Sequence, residues 1–446
     1  RKETNILRRS NTEDKRKIGF WLSTSLVVGN MTGSGIFLLP AALAIYGGIS
    51  LFGWMFTVAG TILLALVFSR LSRLITKSGG PYTYSREGFG DFTGFLVAWG
   101  YWISIWTGNA AISVAGVGYL SVFIPSLKEN SLLSAGVAIG AIWLFTYINT
   151  LNIKKVGVVQ LVTTIIKIVP LLLLGTFGFL YFNLSHFTPF NLSEVSNFDS
   201  VTASAAFALW AFLGLESATI PSDKVKNPTK TIPRSTIAGI VIAALLYISS
   251  TIGVMGIVAP VELQQSAAPF ADAAQKAWGT WASGLVAAGA AIACFGALNG
   301  WILLQGQLPM AAARDKLFPP AFKNISRKGI PVTGLLIASV LASFLVGFNY
   351  TRGLVKMFSF IIMLSTLSCL LPYLFSSLSE LMLYLRKKKA YNKNRLIITS
   401  LISIPAFFYS AWAITGLEYE VLFWGAILLV SGIPIYVLIN RQKRKG

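Results

Sequence analysis

Runs of about 20 apolar residues, separated by short polar or basic stretches, recur from end to end of the chain and predict membrane-crossing helices. They fall near residues 19–46, 50–69, 91–122, 132–150, 156–183, 200–221, 234–258, 281–307, 331–349, 354–379, 396–415 and 420–440. Twelve spans predict an all-α polytopic membrane protein. The first run contains Gly33-Ser34-Gly35 near its middle. Paired glycines release backbone groups that lipid cannot hydrogen-bond, so a break there is tolerable only where it lines a cavity enclosed by protein. A cavity halfway across a membrane predicts a transported solute.

A second interruption matches the first. Gly33 lies seven residues before Pro40, and Gly214 lies seven residues before Pro221 in the sixth span. Two such breaks five helices apart predict an inverted repeat. Residues 1–18 then form an N-terminal segment, 19–183 the first repeat, 184–385 the second, and 386–446 the last two spans with the C-terminal segment. The half-helix beginning at this break turns the N–H groups of Ser34, Gly35 and Ile36 into the cavity, which suits an α-carboxylate. Half-helices ending near Met31 and Leu213 present carbonyls, which suit an α-ammonium group.

Composition agrees with this setting: of 446 residues, 54% are hydrophobic and only 12% charged, with a mean hydropathy of +0.68. An ordinary soluble pair of domains is excluded. Charge adds orientation. Apart from Lys128, Lys276, Arg352 and Lys356 in the opposite loops and Lys167 inside a span, the other 32 of the 37 Lys and Arg fall in three places: the N-terminal segment, the loops after even-numbered spans, and the C-terminal segment. Positive residues stay on the cytoplasmic side, so both termini are expected there. The net charge of +21 is then a matter of topology, strengthened by anionic lipid headgroups. The basic runs at 386–389 and 441–445 lack interleaved aromatics, and nucleic acid is not an expected partner.

Lys167 sits about eleven residues into the fifth span, roughly 17 Å deep at 1.5 Å per residue. A charge there costs about 2.5–3.5 kcal/mol even on insertion scales, so it faces a polar interior or loses its proton. Glu216 is the acid placed deep within a span, a candidate proton carrier or gate, or a carboxylate tying the broken helix to a neighbour. Trp210 and Trp301 offer aromatic faces for a cationic group, although tryptophan in a membrane protein also serves packing and interfaces. Asn109 lies mid-span, as a ligand-facing amide or as interhelical glue.

Scarcity excludes other classes. Cys294 and Cys369 both fall within spans, which predicts buried free thiols. His186 is the single histidine, so neither a histidine metal site nor a Ser-His-Asp hydrolase is expected. No G-x-x-x-x-G-K-[ST] loop is present, so the chain has no ATPase of its own and no cofactor is expected. The first eighteen residues show no signal peptide pattern, and a start at Arg1 rather than Met predicts a trimmed chain.

An ordered set of segments carries a resemblance over nearly the whole chain. It comprises Gly29-Asn30-Met31-Thr32-Gly33-Ser34-Gly35-Ile36-Phe37-Leu38-Leu39-Pro40, Gly79-Gly80-Pro81-Tyr82-Thr83-Tyr84 with Phe89-Gly90, and Leu209-Trp210-Ala211-Phe212-Leu213-Gly214-Leu215-Glu216-Ser217-Ala218. Val225-Lys226-Asn227-Pro228 and Leu317-Phe318-Pro319-Pro320 extend it. The set resembles the amino acid, polyamine and organocation transporters, in particular their bacterial arginine-agmatine antiporters. The resemblance implies a LeuT-like fold with broken helices 1 and 6, an exchanger with alternating access, and a homodimer in the cell inner membrane. It implies a carboxylate site at Ser34 and Gly35, and an amine site at the carbonyls of Met31, Trp210 and Leu213. It further implies stacking of a cationic side chain on Trp301, polar contacts from Asn109 and Ser365, and a gate of Tyr101, Glu216 and Tyr373.

Two features depart from that pattern and keep the substrate open. Ser104, Ile105 and Ile112 make the third span bulkier than the Ala, Cys and Met of the arginine-agmatine antiporters. Lys167 is foreign to those antiporters and resembles the fifth-helix lysine of neutral amino acid relatives. The expected function is a secondary amino acid antiporter taking a cationic amino acid. The alternatives are a neutral exchanger or proton-coupled symporter using Lys167, and, from other classes, a substrate-sensing receptor or a channel.

Overall fold

In a computed structural model of the chain, the described residues are 19–32, 35–75, 79–151, 156–216, 225–326, 329–386 and 393–445. They are almost wholly helical, with no sheet among them. The principal helices are α1 (Phe20–Met31), α2 (Gly35–Leu43), α3 (Ser50–Leu74), α4 (Pro81–Phe89), α5 (Asp91–Leu120), α6 (Ser131–Leu151), α7 (Val156–Thr176) and α8 (Asn197–Trp210). After them come α9 (Pro228–Ile257), α10 (Pro269–Trp278), α11 (Thr280–Arg314), α12 (Val332–Asn349), α13 (Leu354–Arg386), α14 (Lys393–Thr415), α15 (Tyr419–Val430) and α16 (Gly432–Lys445). Nine helices among the described residues are long and apolar enough to cross a membrane.

The difference from twelve uninterrupted spans lies at residues 19–46, 156–183 and 200–221. The first run is two short helices, because α1 ends at Met31 and α2 begins at Gly35. Its terminal residue Thr32 folds back, donating its N–H to the Val28 carbonyl at 2.7 Å. The sixth run stops being α-helical at Trp210, four residues ahead of Gly214, and continues through Glu216 in tight turns. Gly214 has φ +98°, a conformation that a side chain resists. Gly33, Ser34 and Pro221 lie outside the described residues.

Burial sorts the helices. In α5, 89% of the most apolar 18-residue window is buried, against 17% for the terminal stretch Tyr419–Arg441. The long helices α11 and α13 flank α5, and both run antiparallel to it. Trp102 Nε1 donates to the Gln305 carbonyl at 3.0 Å, while Gly116 approaches Phe295. On the other flank Ser365 Oγ donates to the Ser104 carbonyl at 2.8 Å, while Gly100 approaches the Ser368 carbonyl.

Two amphipathic helices, read as loop in the sequence, occupy opposite ends of this core. Gly90 at φ +100° joins α4 to α5, and Gly279 at φ +90° joins α10 to α11. Each glycine closes one helix and opens the next at a sharp angle that only glycine adopts without strain. Tyr82 Oη of α4 donates to Asp315 Oδ2 at 3.0 Å, tying α4 to the far end of α11. Cys294 and Cys369 are buried free thiols.

Close to the α4 end, Arg70 donates from Nε and Nη2 to the Glu380 carboxylate, with two contacts at 2.8 Å, and also bonds Thr399 Oγ1 at 2.7 Å. The pair joins α3, α13 and α14, and Glu380 is only 2% exposed. Removing one partner of such a pair strands the other charge. Glu380→Ala is expected to destabilise the protein by about 2–4 kcal/mol, read as a lower melting temperature in detergent. The double variant Arg70→Leu with Glu380→Leu is expected to recover part of the loss.

Candidate functional site

The interruptions after α1 and α8 face one another across a cavity in the middle of the bundle. Met31 and Gly35 line it from the first break, and Trp210, Ala211 and Leu213 from the second. One face of α5 completes a wall with Tyr101, Ser104, Ile105, Gly108 and Ile112, positions reached from Tyr101 in the three- and four-residue steps that share a helix side. Trp301 of α11 and Ser365 of α13 close the remainder. No residue in this lining carries a formal charge on its side chain.

The closest approach in the site is between Gly35 and Trp210. A Cβ built on Gly35 falls within the indole ring of Trp210, so any larger residue at 35 displaces the tryptophan. Trp210 is held from its other side by the buried Phe358 ring, edge-to-face at 5.6 Å between centroids. These two rings form a cover over the cavity.

On the opposite side lies a buried carboxylate. Glu216 receives a hydrogen bond from Tyr101 Oη on Oε1 and one from Tyr373 Oη at 3.1 Å on Oε2. Tyr373 packs edge-on against Phe68 at 5.6 Å, and Phe68 against Tyr84 of α4 at 6.4 Å. The three residues read from the sequence as a gate therefore lie together, beneath the cavity and above an aromatic stack that reaches α4.

The cavity has a volume of about 40 Å³. A single water needs about 10–15 Å³ by the same measure, so the space admits a few waters, and any larger occupant requires the aromatic walls to move.

Besides Glu216 and Tyr373, three described residues read from the sequence as site residues lie away from the lining. Asn109 is fully buried and donates to Gln305 Oε1 at 2.7 Å, which makes it an interhelical tie between α5 and α11. Ile36 packs in the core. Lys167 is fully buried on α7, and its Nζ has no hydrogen-bond partner among the described residues. Ser34 lies outside the described residues. The Trp210 carbonyl accepts the Leu213 N–H at 3.2 Å, so one of its lone pairs is already used by the turn.

Sequence reasoning missed Gln305, which holds Asn109 while its own Nε2 donates to Ser339 Oγ at 2.8 Å and to the Leu335 carbonyl at 3.2 Å. The signal was there: an uncharged amide inside an apolar span needs partners. Phe358 and Gly108 carried no comparable mark.

Residues 18–439 match the family profile described as amino acid permease. A relative named "Cadaverine/lysine antiporter" in Escherichia coli (strain K12) is 37% identical over 330 residues, 73% of each chain. A protein of Bacillus subtilis (strain 168), named provisionally as an arginine/ornithine antiporter, is 33% identical over 468 residues, covering 97% of this chain and 99% of its own. The "Putrescine transporter PotE" of Haemophilus influenzae (strain ATCC 51907 / DSM 11121 / KW20 / Rd) is 31% identical over 425 residues, 95% and 97% of the two chains. The chain belongs to the amino acid permease family.

Proposed function

We propose that the chain is a secondary antiporter of the bacterial cytoplasmic membrane, exchanging a cationic amino acid for another amino acid or for its decarboxylated amine by alternating access. The observation that carries this reading is a cavity enclosed by two helix breaks and two indole rings, without a charged side chain in its lining. The N-terminus of α2 suits a carboxylate, with Ser34, Gly35 and Ile36 as donors. The ends of α1 and α8, at Met31, Trp210 and Leu213, suit an ammonium group. Trp301 and Trp210 present π faces to a side-chain cation, Ser104, Ile105, Ile112 and Ser365 shape the pocket, and Asn109 braces its wall. The names of the relatives pair basic amino acids with diamines or with each other, which supports this substrate class.

The same reading assigns twelve spans as two inverted repeats, 19–183 and 184–385, followed by a peripheral pair. The matching arrangements of α4 with Gly90 and α10 with Gly279 at opposite ends of the core support it. Both termini are placed in the cytoplasm, with the Tyr101, Glu216 and Tyr373 cluster as the inner gate and the Trp210 and Phe358 pair as the outer one. A homodimer through the last two helices, in contact with membrane lipid, completes the assignment. No catalytic chemistry is assigned.

A second reading rests on Lys167. A buried ammonium without a hydrogen-bond partner among the described residues suits a residue that loads and releases a proton in each cycle, as in a proton-coupled carrier of neutral amino acids. Counterflow into proteoliposomes separates the two. Uptake of labelled arginine, lysine or ornithine and of agmatine, cadaverine or putrescine supports the first reading; uptake of alanine and serine with the basic substrates silent overturns it. A substrate-sensing receptor shows no flux at all.

Three variants sharpen the assignment. Gly35→Ala is expected to abolish substrate binding in calorimetry and, by forcing the Trp210 ring aside, to cost about 1–3 kcal/mol of stability, read as a lower melting temperature in detergent. Trp301→Leu is expected to weaken basic substrates by about 0.5–2 kcal/mol, with neutral ones less affected. Lys167→Ala is expected to flatten the pH profile of transport, and an unchanged profile reduces the lysine to a structural part.

A further inference from the structure

A polar recess separate from the central cavity is built on the same elements. It has a volume of about 330 Å³, against about 40 Å³ at the centre. Ala41 and Ala42 of α2, Phe207 of α8 and Met363 of α13 line it, whereas Gly35, Trp210 and Ser365 of those elements line the centre. Six residues along α2 correspond to about 9 Å, and Trp210, which lines the centre, packs on Phe358, which stands within the α13 stretch 355–363 that lines the recess.

Its charges are unequal in availability. Arg352 is engaged, bonded to the Glu420 carboxylate and seated 4.4 Å over the Phe360 ring. Lys356 and Glu418 face the same recess, and neither has an ion-pair partner among the described residues. A free ammonium and a free carboxylate in one recess complement a zwitterion. They do not complement a diamine, which has nothing to offer Lys356 and is repelled by it.

We propose that this recess is an outer loading site for the free α-amino acid, with Lys356 receiving its α-carboxylate and Glu418 an ammonium group, and that it favours the amino acid over its decarboxylated amine. The site biases entry from outside toward the amino acid, while the gradients set the net direction of exchange. An amino acid arriving from outside is concentrated above the Trp210 cover, while a diamine released from the centre meets Lys356 and departs. Its room for a whole molecule, where the centre admits only waters, makes it the stopping place before the cover opens. The proposal rests on the exchange reading given above for the substrate pair and for which side is outside.

The test is uptake kinetics in proteoliposomes, with labelled lysine, arginine, cadaverine and agmatine supplied from outside. Lys356→Gln is expected to raise the half-saturating concentration of the amino acids about fivefold, the scale of one solvent-exposed charge contact. That of the diamines stays level or falls, and the saturating rate is unchanged. Lys356→Glu is expected to reverse the preference, Glu418→Gln to weaken both classes, and high salt to shrink the difference between the parent and Lys356→Gln. Equal shifts for amino acid and diamine in Lys356→Gln, or none, overturn the proposal. If the parent moves only neutral amino acids, the exchange reading fails by itself. The loading site is then judged by the same comparison between that amino acid and its amine as competitor.

Discussion

A backbone group that leaves a helix inside a bilayer has no water to bond, and each unmet N–H or C=O costs several kcal/mol. α1 stops at Met31 and α8 stops at Trp210, so this chain incurs that cost twice at one depth. The remedy is visible in burial. The two breaks face each other, and the buried helices α5, α11 and α13 surround them, which keeps lipid away from both. Thr32 and Leu213 fold their N–H groups back onto Val28 and Trp210. What stays open is turned toward a space that admits water. The same constraint that demands shielding therefore builds the cavity.

Shielding also fixes the covers. Gly35 has no side chain because the Trp210 ring occupies that volume, and Phe358 holds the ring from its other side. Beneath the cavity, two phenols satisfy both oxygens of Glu216, so a carboxylate persists in a place where an unpartnered one is prohibitive. One cover is held by packing and the other by hydrogen bonds. In the proposed cycle the first opens by a ring rotation, whereas the second opens only if Glu216 exchanges its partners or its proton.

Much of this was legible in the sequence, for a physical reason. Apolar runs must match the bilayer, so most spans could be placed to within a few residues. Positions 31, 35, 101, 104, 105, 112, 210, 213, 301 and 365, read from glycine breaks, aromatic placement and family resemblance, all line one cavity. The amphipathic helices α4 and α10 escaped because each is about ten residues long and half polar, which reads as loop beside the much stronger signal of a membrane span. Asn109 stayed open between the cavity and an interhelical tie because helix periodicity gives a face and not a neighbour. Only the position of Gln305 on α11 turns that amide inward. The stop at Trp210 rather than Gly214 reflects three turn-type hydrogen bonds that close over Ala208, Leu209 and Trp210, a local choice that composition does not reveal.

The absence of formal charge from the cavity lining bears on how exchange can work. A carboxylate in direct contact would bind a dication far more strongly than a zwitterionic amino acid, because its attraction scales with ligand charge, and the tighter ligand would leave slowly. Indole faces and carbonyl dipoles attract a cation by smaller amounts, about 0.5–2 kcal/mol for a ring, and so discriminate less between a basic amino acid and its amine. Glu216 is close enough to tune this field but acts through the Tyr101 phenol, which is itself part of the wall. An exchanger needs both partners to be held and both to be released. Placing the acid one hydrogen bond behind the surface, and leaving the surface itself neutral, satisfies the two demands together.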